Sequence, residues 1–136
     1  MKKLAITIIL GIFANLACAD VVVIVHPSNG SSLDKSAIEK IFLSKSKSFP
    51  GGGEVVPINQ ADGTAPRDEF DSKVLGKSAA QLKAYWSKLV FTGKGNPPKD
   101  VASDADVKNL IANNPAMIGY IDAGAADGSV KVVQTF

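Results

Sequence analysis

A short apolar strand that leads into a polar turn and a helix start is the part of this sequence best suited to chemistry. Residues 55–58 are largely apolar, Asp62 and Gly63 form the turn, and Thr64 and Pro66 open a predicted helix. Threonine is a favoured N-cap, and proline is tolerated in the first helical turn because its missing N–H would have no partner there. A helix N-terminus presents free backbone N–H groups and a positive dipole end. The junction therefore predicts an anion-binding site.

Other catalytic or metal-binding patterns are weak. His26 is the sole histidine, and it stands in a turn after the first apolar run. One imidazole without cysteine partners or clustered acids makes no convincing metal site. Residues 76–78 resemble the end of a phosphate-binding loop, but Asp71 stands where that loop needs its first glycine. We therefore expect no enzyme activity, no cofactor and no metal.

The first nineteen residues have the pattern of an export signal. Two lysines precede an apolar stretch at residues 4–13, and small residues on both sides of Cys18 define a cleavage site before Asp20. The apolar stretch is too short to span a bilayer. Acylation of Cys18 is the alternative, but Asn15 stands where bacterial lipoproteins usually carry leucine. We predict a periplasmic or secreted protein without stable membrane insertion.

Cleavage would leave 117 of the 136 residues and would change the charge of the chain. The removed segment contains two lysines and no acid, so 15 basic residues become 13, which equals the number of acidic ones. A formally neutral domain has no overall charge with which to attract nucleic acid or a membrane surface. It also retains no cysteine, so its core must stabilise it without disulfides. We expect one domain over residues 20–136.

Apolar patterning predicts the elements of this domain. The β-branched run at residues 21–25 is typical of a strand buried on both faces. Further strands are predicted at residues 55–58, 117–121 and 130–133, and helices beginning near residues 35, 65, 79 and 104. In the third helix the apolar spacing places Trp86 in the core. These elements predict an α/β domain with an open, mostly parallel or mixed sheet of about four strands flanked by about four helices.

Five short blocks, in order along the chain, resemble the phosphate-binding proteins of bacterial ABC transporters. They are residues 21–25, 41–45, 61–64, 92–95 and 115–121. The resemblance implies the type 2 periplasmic-binding fold, in which two lobes close on the ligand. The domain is long enough for one lobe only, and it is most similar to the second. Small stand-alone members of the family are the best match.

The phosphate turn of that family typically reads Arg-Ala-Asp-Gly-Ser-Gly-Thr, and this sequence departs from it. Aligned on residues 61–63, Gln60 replaces the arginine, Thr64 the serine, Ala65 the glycine and Pro66 the threonine. Thr64 keeps a hydroxyl, whereas Gln60 lacks the positive charge and the two-pronged donor of arginine. These departures imply weaker anion binding than in a complete receptor.

The resemblance implies an exported protein like the substrate-binding subunits of phosphate ABC transporters, with weak or accessory binding of phosphate or another anion. The anion is expected at the start of the helix after Gly63, in contact with Thr64. Gln60, Arg67 and Ser28 are further candidate contacts. The alternative is an interaction module that kept the lobe fold, lost its ligand and docks on an envelope or inner-membrane partner protein. Neither hypothesis involves nucleic acid.

Overall fold

A computed structural model describes residues 20–136, so the predicted export signal lies outside the described residues. Five strands form one sheet: β1 (Val21–Val25), β2 (Val56–Gln60), β3 (Lys99–Val101), β4 (Met117–Asp122) and β5 (Lys131–Thr135). The α-helices are α1 (Lys35–Phe42), α2 (Ala65–Phe70), α3 (Ala79–Phe91) and α4 (Asp104–Asn113). A π-helical turn, Asp71–Leu75, continues α2, and a 3-10 turn, Ala123–Ala125, follows β4. No helix in these residues is long and apolar enough to cross a bilayer.

The sheet is open and mixed, with the order β3-β2-β4-β1-β5. Strand β2 pairs parallel with β3 and β4, whereas β1 pairs antiparallel with β4 and β5. The predicted α/β architecture is confirmed, with one strand more than expected. Sequence patterning missed β3 because it has only three residues, follows a loop rich in glycine and proline, and buries only Val101.

Helices cover both faces of the sheet. Helices α1, α2 and α3 pack on one face, where Phe42, Phe70 and Tyr120 form an aromatic cluster. Helix α4 packs on the other face through Val107 and Ile111. Strand β1 supplies side chains to both layers, and all five of its residues are buried. The prediction that this strand is buried on both faces is confirmed.

The prediction that Trp86 lies in the core is wrong in degree. Leu82 is buried, but Trp86 is only half-buried and packs at the margin of the core. Its ring meets the ring of Tyr85 edge to face, with the centroids 5.1 Å apart. Tyr85 in turn donates a hydrogen bond from its hydroxyl to the carbonyl oxygen of Leu43 at 2.7 Å. Helix α3 is therefore attached by one buried edge, and much of its surface faces solvent.

Gly119 allows α4 to contact the backbone of β4 directly. A Cβ at this position would lie 2.8 Å from Val107 Cγ1 and 3.0 Å from both Ile111 Cδ1 and Ile58 Cγ1. We expect Gly119→Ala to lower the free energy of unfolding by about 1–3 kcal/mol, because the packed core must move to admit a methyl group. Urea denaturation measures the loss. Gly30→Ala is the control, since its added Cβ would meet nothing within 4 Å, and an equal loss there would exclude steric overlap as the cause.

Candidate functional site

The predicted junction of strand, turn and helix is present at the end of β2. Strand β2 ends at Gln60, and Gly63 turns the chain with a φ of 83°, in the left-handed region that glycine adopts without strain. Thr64 occupies the N-cap position of α2, and a proline stands in the first helical turn. The scaffold that could hold an anion has therefore formed as the sequence predicted.

The side chain of Thr64 does not cap α2. Its hydroxyl instead donates a hydrogen bond to the carbonyl oxygen of Ala61 at 2.9 Å, within the turn. The N–H groups of the first turn therefore receive no acceptor from this side chain. Such uncapped groups are the donors that an anion at a helix N-terminus would use.

Arg67 holds the turn, β2 and β3 together. Its Nη1 donates to the carbonyl oxygen of Gln60 at 2.8 Å and to the carboxylate of Asp100 at 3.2 Å. Its Nε donates to Asp71 Oδ2 at 3.0 Å, and its Nη2 lies 3.4 Å from Asp62 Oδ1. The side chain of Arg67 is only 11% exposed. The guanidinium of Arg67 is therefore already surrounded by three carboxylates.

The pair Arg67–Asp71 is buried, and burial governs the ionisation of both groups. Desolvation raises the pKa of the Asp71 carboxyl, because the attraction of Arg67 does not fully offset it. Burial alone would lower the pKa of Arg67, but its interactions with Tyr120 and Asp71 outweigh that effect and leave the pKa raised. Asp71 Oδ1 is buried and has no hydrogen-bond partner in residues 20–136. The hydrogen bond from Arg67 therefore reaches Oδ2 of the Asp71 carboxylate, whereas Oδ1 receives none within residues 20–136.

Gln60 contributes its backbone, rather than its side chain, to the turn. The residue is 2% exposed, and its side-chain Nε2 donates to the carboxylate of Asp104 and to the carbonyl oxygen of Tyr120, the latter at 3.0 Å. Asp104 begins α4, on the face of the sheet opposite α2. Only the carbonyl oxygen of Gln60 reaches Arg67. The side-chain amide of Gln60 is therefore held away from the start of α2.

A buried hydroxyl links β4 to the end of β2. Tyr120 Oη donates to Asn59 Oδ1 at 2.7 Å and accepts the backbone N–H of Gln60 at 3.2 Å. Burial raises the pKa of the Tyr120 phenol, so the hydroxyl stays protonated and can donate. This network fixes the end of β2, from which the turn departs.

Ser28 does not join the other candidate residues. It follows β1, which runs antiparallel to β4, whereas β2 runs parallel to β4. The end of β1 therefore lies beside the start of β2, so Ser28 and Thr64 lie at opposite ends of the strands. Ser28 Oγ hydrogen-bonds His26 Nδ1 at 2.7 Å, and the residue lines a separate depression with Pro115 and Ala116. The structure brings together Gln60, Thr64 and Arg67 only.

Sequence reasoning missed the acidic residues that surround Arg67. Asp71 could have been found, because it stands four positions after Arg67 and such pairs face each other on a helix. Asp100 gave no signal, because it lies on the unpredicted strand β3. The sequence predicts Asp62 only as part of the turn and gives it no ion-pair partner. The missed feature is thus a local excess of negative charge.

A groove of about 460 Å³ adjoins Arg67, between α3 and the edge of β3. Asn59 lies at one side of it, and Trp86, Pro97 and Pro98 supply apolar wall. Within residues 20–136, no three His, Cys, Asp or Glu side chains are arranged to hold a metal ion. The groove could admit a small organic molecule or anion, and its charged lining combines two cations, Arg67 and Lys83, with two carboxylates, Asp62 and Asp100.

Known proteins resemble this chain in fold rather than in sequence. No protein-family model and no curated protein sequence matches it. Solved structures do match, and phosphate-transport proteins are among them. A phosphate ABC transport receptor from Vibrio cholerae superposes on 86% of this chain with a TM-score of 0.69 and 18% identity. The fold is shared with part of a phosphate-transport receptor.

Two further structures support this. A candidate phosphate ABC transporter substrate-binding protein from Clostridium perfringens, solved with bound phosphate, covers 86% of the chain with a TM-score of 0.66 and 24% identity. PstS from Borrelia burgdorferi covers 85% with a TM-score of 0.64 and 14% identity. The chain spans 46–47% of the length of these three structures. The predicted resemblance to one lobe is confirmed at the level of the fold.

Proposed function

We propose that the protein is exported and acts as a phosphate-transporter substrate-binding-like protein with weak or accessory anion binding. The observation that carries the proposal is the coincidence of the shared fold with an uncapped helix start at the end of β2. The anion would accept hydrogen bonds from the first-turn N–H groups of α2, next to Thr64 and Arg67. The protein would be periplasmic or secreted after cleavage before Asp20, with neither an enzymatic role nor a cofactor.

The charges around Arg67 explain why binding would be weak. Asp62 and Asp100 are largely exposed and lie within 3.4 Å of the guanidinium, so they compete with any incoming anion. An ionic contact in a water-exposed half-site contributes only about 1 kcal/mol. We therefore expect a phosphate dissociation constant on the order of 1 mM or weaker. Calorimetric titration with phosphate, sulfate and acidic metabolites measures it.

Removing one competing carboxylate should strengthen binding. Asp100→Asn deletes a charge beside Arg67 but keeps the size of the side chain, and we expect phosphate affinity to rise about five-fold, which equals about 1 kcal/mol. Glu54→Gln is the matched control. This exposed residue precedes β2 and therefore lies at the opposite end of the strand from Thr64, and the substitution changes the net charge by the same amount. An equal gain in both variants would mean that the anion does not use Arg67.

The position of Gln60 changes what an arginine there would do. The resemblance to phosphate-binding proteins implies an arginine at this position of the turn, so Gln60→Arg would restore a donor. The side chain of residue 60, however, lies against Asp104, which would pair with the new cation. The gain in phosphate affinity from Gln60→Arg should therefore be smaller than from Asp100→Asn. Absence of heat with every anion in all variants would favour the interaction module instead.

A further inference from the structure

The outward surface of α3 is unusually apolar for the exposed side of a helix. Phe91 is 92% exposed and Val90 is 50% exposed, although most large apolar side chains in the described residues are buried. Both residues border the half-buried ring of Trp86 on one shallow surface. This surface shares Trp86 and Lys83 with the groove beside Arg67, but no residue of the turn at 61–64 lines it. We call Trp86, Val90 and Phe91 the α3 apolar patch.

The same helix and the residues that flank it carry an excess of positive charge that net neutrality hides. Residues 77–94 contain four lysines and no acid, whereas the rest of residues 20–136 carries nine basic and thirteen acidic residues. Lys83, Lys88 and Lys94 are exposed. Among the ion pairs of the described residues, none involves these three lysines. Charge is therefore segregated, with its positive part around the α3 apolar patch.

The lysines flank the exposed aromatic ring. At 100° per residue, Lys83 lies about 80° to one side of Phe91 around the helix axis, and Lys88 lies about 60° to the other side. Lysine stems can lie along apolar surface while their ammonium groups reach outward. An exposed phenyl ring between lysines combines two contributions that hold a protein at an anionic membrane surface, namely burial of an apolar group at the interface and attraction to anionic lipid.

We propose that the α3 apolar patch and its lysines bind the surface of an anionic lipid bilayer. A fluid interface accepts a protruding ring without a matching pocket, and Phe91, which is 92% exposed, protrudes from the shallow surface that it shares with Trp86 and Val90. Negatively charged headgroups complement a helix that has no acidic residue, and each lysine near such a surface strengthens binding. The contact is peripheral and holds the domain against the membrane. It does not rest on anion binding at α2.

The sole tryptophan of the chain provides a local readout of this contact. The full-length protein is mixed with vesicles of phosphatidylglycerol and phosphatidylcholine that carry brominated acyl chains, which quench nearby indole fluorescence. We expect quenching of Trp86 with these anionic vesicles, its loss in high salt, and little quenching with pure phosphatidylcholine. Because the signal comes from Trp86, membrane contact by residues 1–19 alone does not produce it.

Matched variants separate the apolar and electrostatic contributions. Phe91→Ser should lower the apparent vesicle affinity about tenfold, whereas Val132→Ser, which alters an exposed residue of β5, should leave it unchanged. Lys88→Gln combined with Lys94→Gln should lower it about 25-fold, at about five-fold for each lysine. The exposed α1 pair Lys35→Gln and Lys40→Gln provides the same change in net charge as a control.

Three results would overturn the proposal. Equal quenching by anionic and neutral vesicles would remove the electrostatic contribution, and unchanged quenching in Phe91→Ser would remove the aromatic one. A spectral shift of Trp86 with polyglutamate, but not with anionic vesicles, would assign the surface to an acidic protein. Because these readouts omit phosphate, their failure is distinct from failure of anion binding at α2.

Discussion

Replacing Arg67 with methionine should destabilise the protein by about 3–5 kcal/mol, because it leaves a buried carboxylate without its cation. The side chains of Arg67 and Asp71 are 11% and 10% exposed, so water can replace little of the lost interaction. Asp71 Oδ1 already lacks a hydrogen-bond partner within residues 20–136, and the variant would also leave Oδ2 without its Arg67 donor. Urea denaturation at neutral pH measures the loss.

The double variant Arg67→Met with Asp71→Leu tests the cause. Removal of both charges should recover most of the stability, because the penalty arises from the charge left alone. Lys108→Met, which removes the cation of the exposed pair with Asp127, is the control and should have a far smaller effect. A loss in Arg67→Met no larger than in this control would show that the Arg67–Asp71 pair is solvated.

The loss in Arg67→Met should also depend on pH. Burial raises the pKa of Asp71 in the folded protein, and removal of Arg67 removes an interaction that lowers it. A group whose folded pKa is raised binds its proton more tightly in the native state, so its protonation stabilises the fold. The difference in unfolding free energy between Arg67→Met and the unmodified protein should therefore be largest above the pKa of Asp71 in the folded variant. It should shrink as the pH falls toward the pKa of Asp71 in the unfolded chain.

Phe70→Ala should be the most damaging single change in the core, with a loss of about 3–5 kcal/mol. The ring is fully buried and stacks on the ring of Tyr120, with centroids 4.0 Å apart and planes 4° from parallel. It also contacts Phe42, whose ring centroid is 4.7 Å away. The substitution therefore leaves a cavity where α1, α2 and β4 meet. Thermal and urea denaturation measure the loss.

Trp86→Ala is the comparison for Phe70→Ala. Trp86 is the larger residue, but it is only half-buried at the margin of the core. We expect a loss of about 1–2 kcal/mol, in proportion to the smaller area that it removes from water. A loss equal to that of Phe70→Ala would mean that Trp86 packs into the core as the apolar spacing of α3 first indicated.

The order of elements could be predicted because it depends on local pattern. The β-branched run of β1, the cap of α1 by Asp34 and the capping box between Ser78 and Gln81 each involve residues close together in sequence. The short strand β3 could not be predicted in this way. Its pairing with β2 alone defines it, and three residues after a proline-containing loop carry no periodicity of their own.

The sequence by itself determined the α/β fold and the strand, turn and helix start at Thr64, because apolar periodicity, glycine geometry and capping act over a few residues. Only the tertiary structure placed Asp100 beside Arg67 and turned the side chain of Gln60 toward Asp104. It also left Ser28 at the opposite end of the strands from Thr64. These outcomes depend on strand pairing and on which face a side chain occupies. A charged neighbour supplied by another strand leaves no local trace in the sequence, yet it sets the electrostatics of the site.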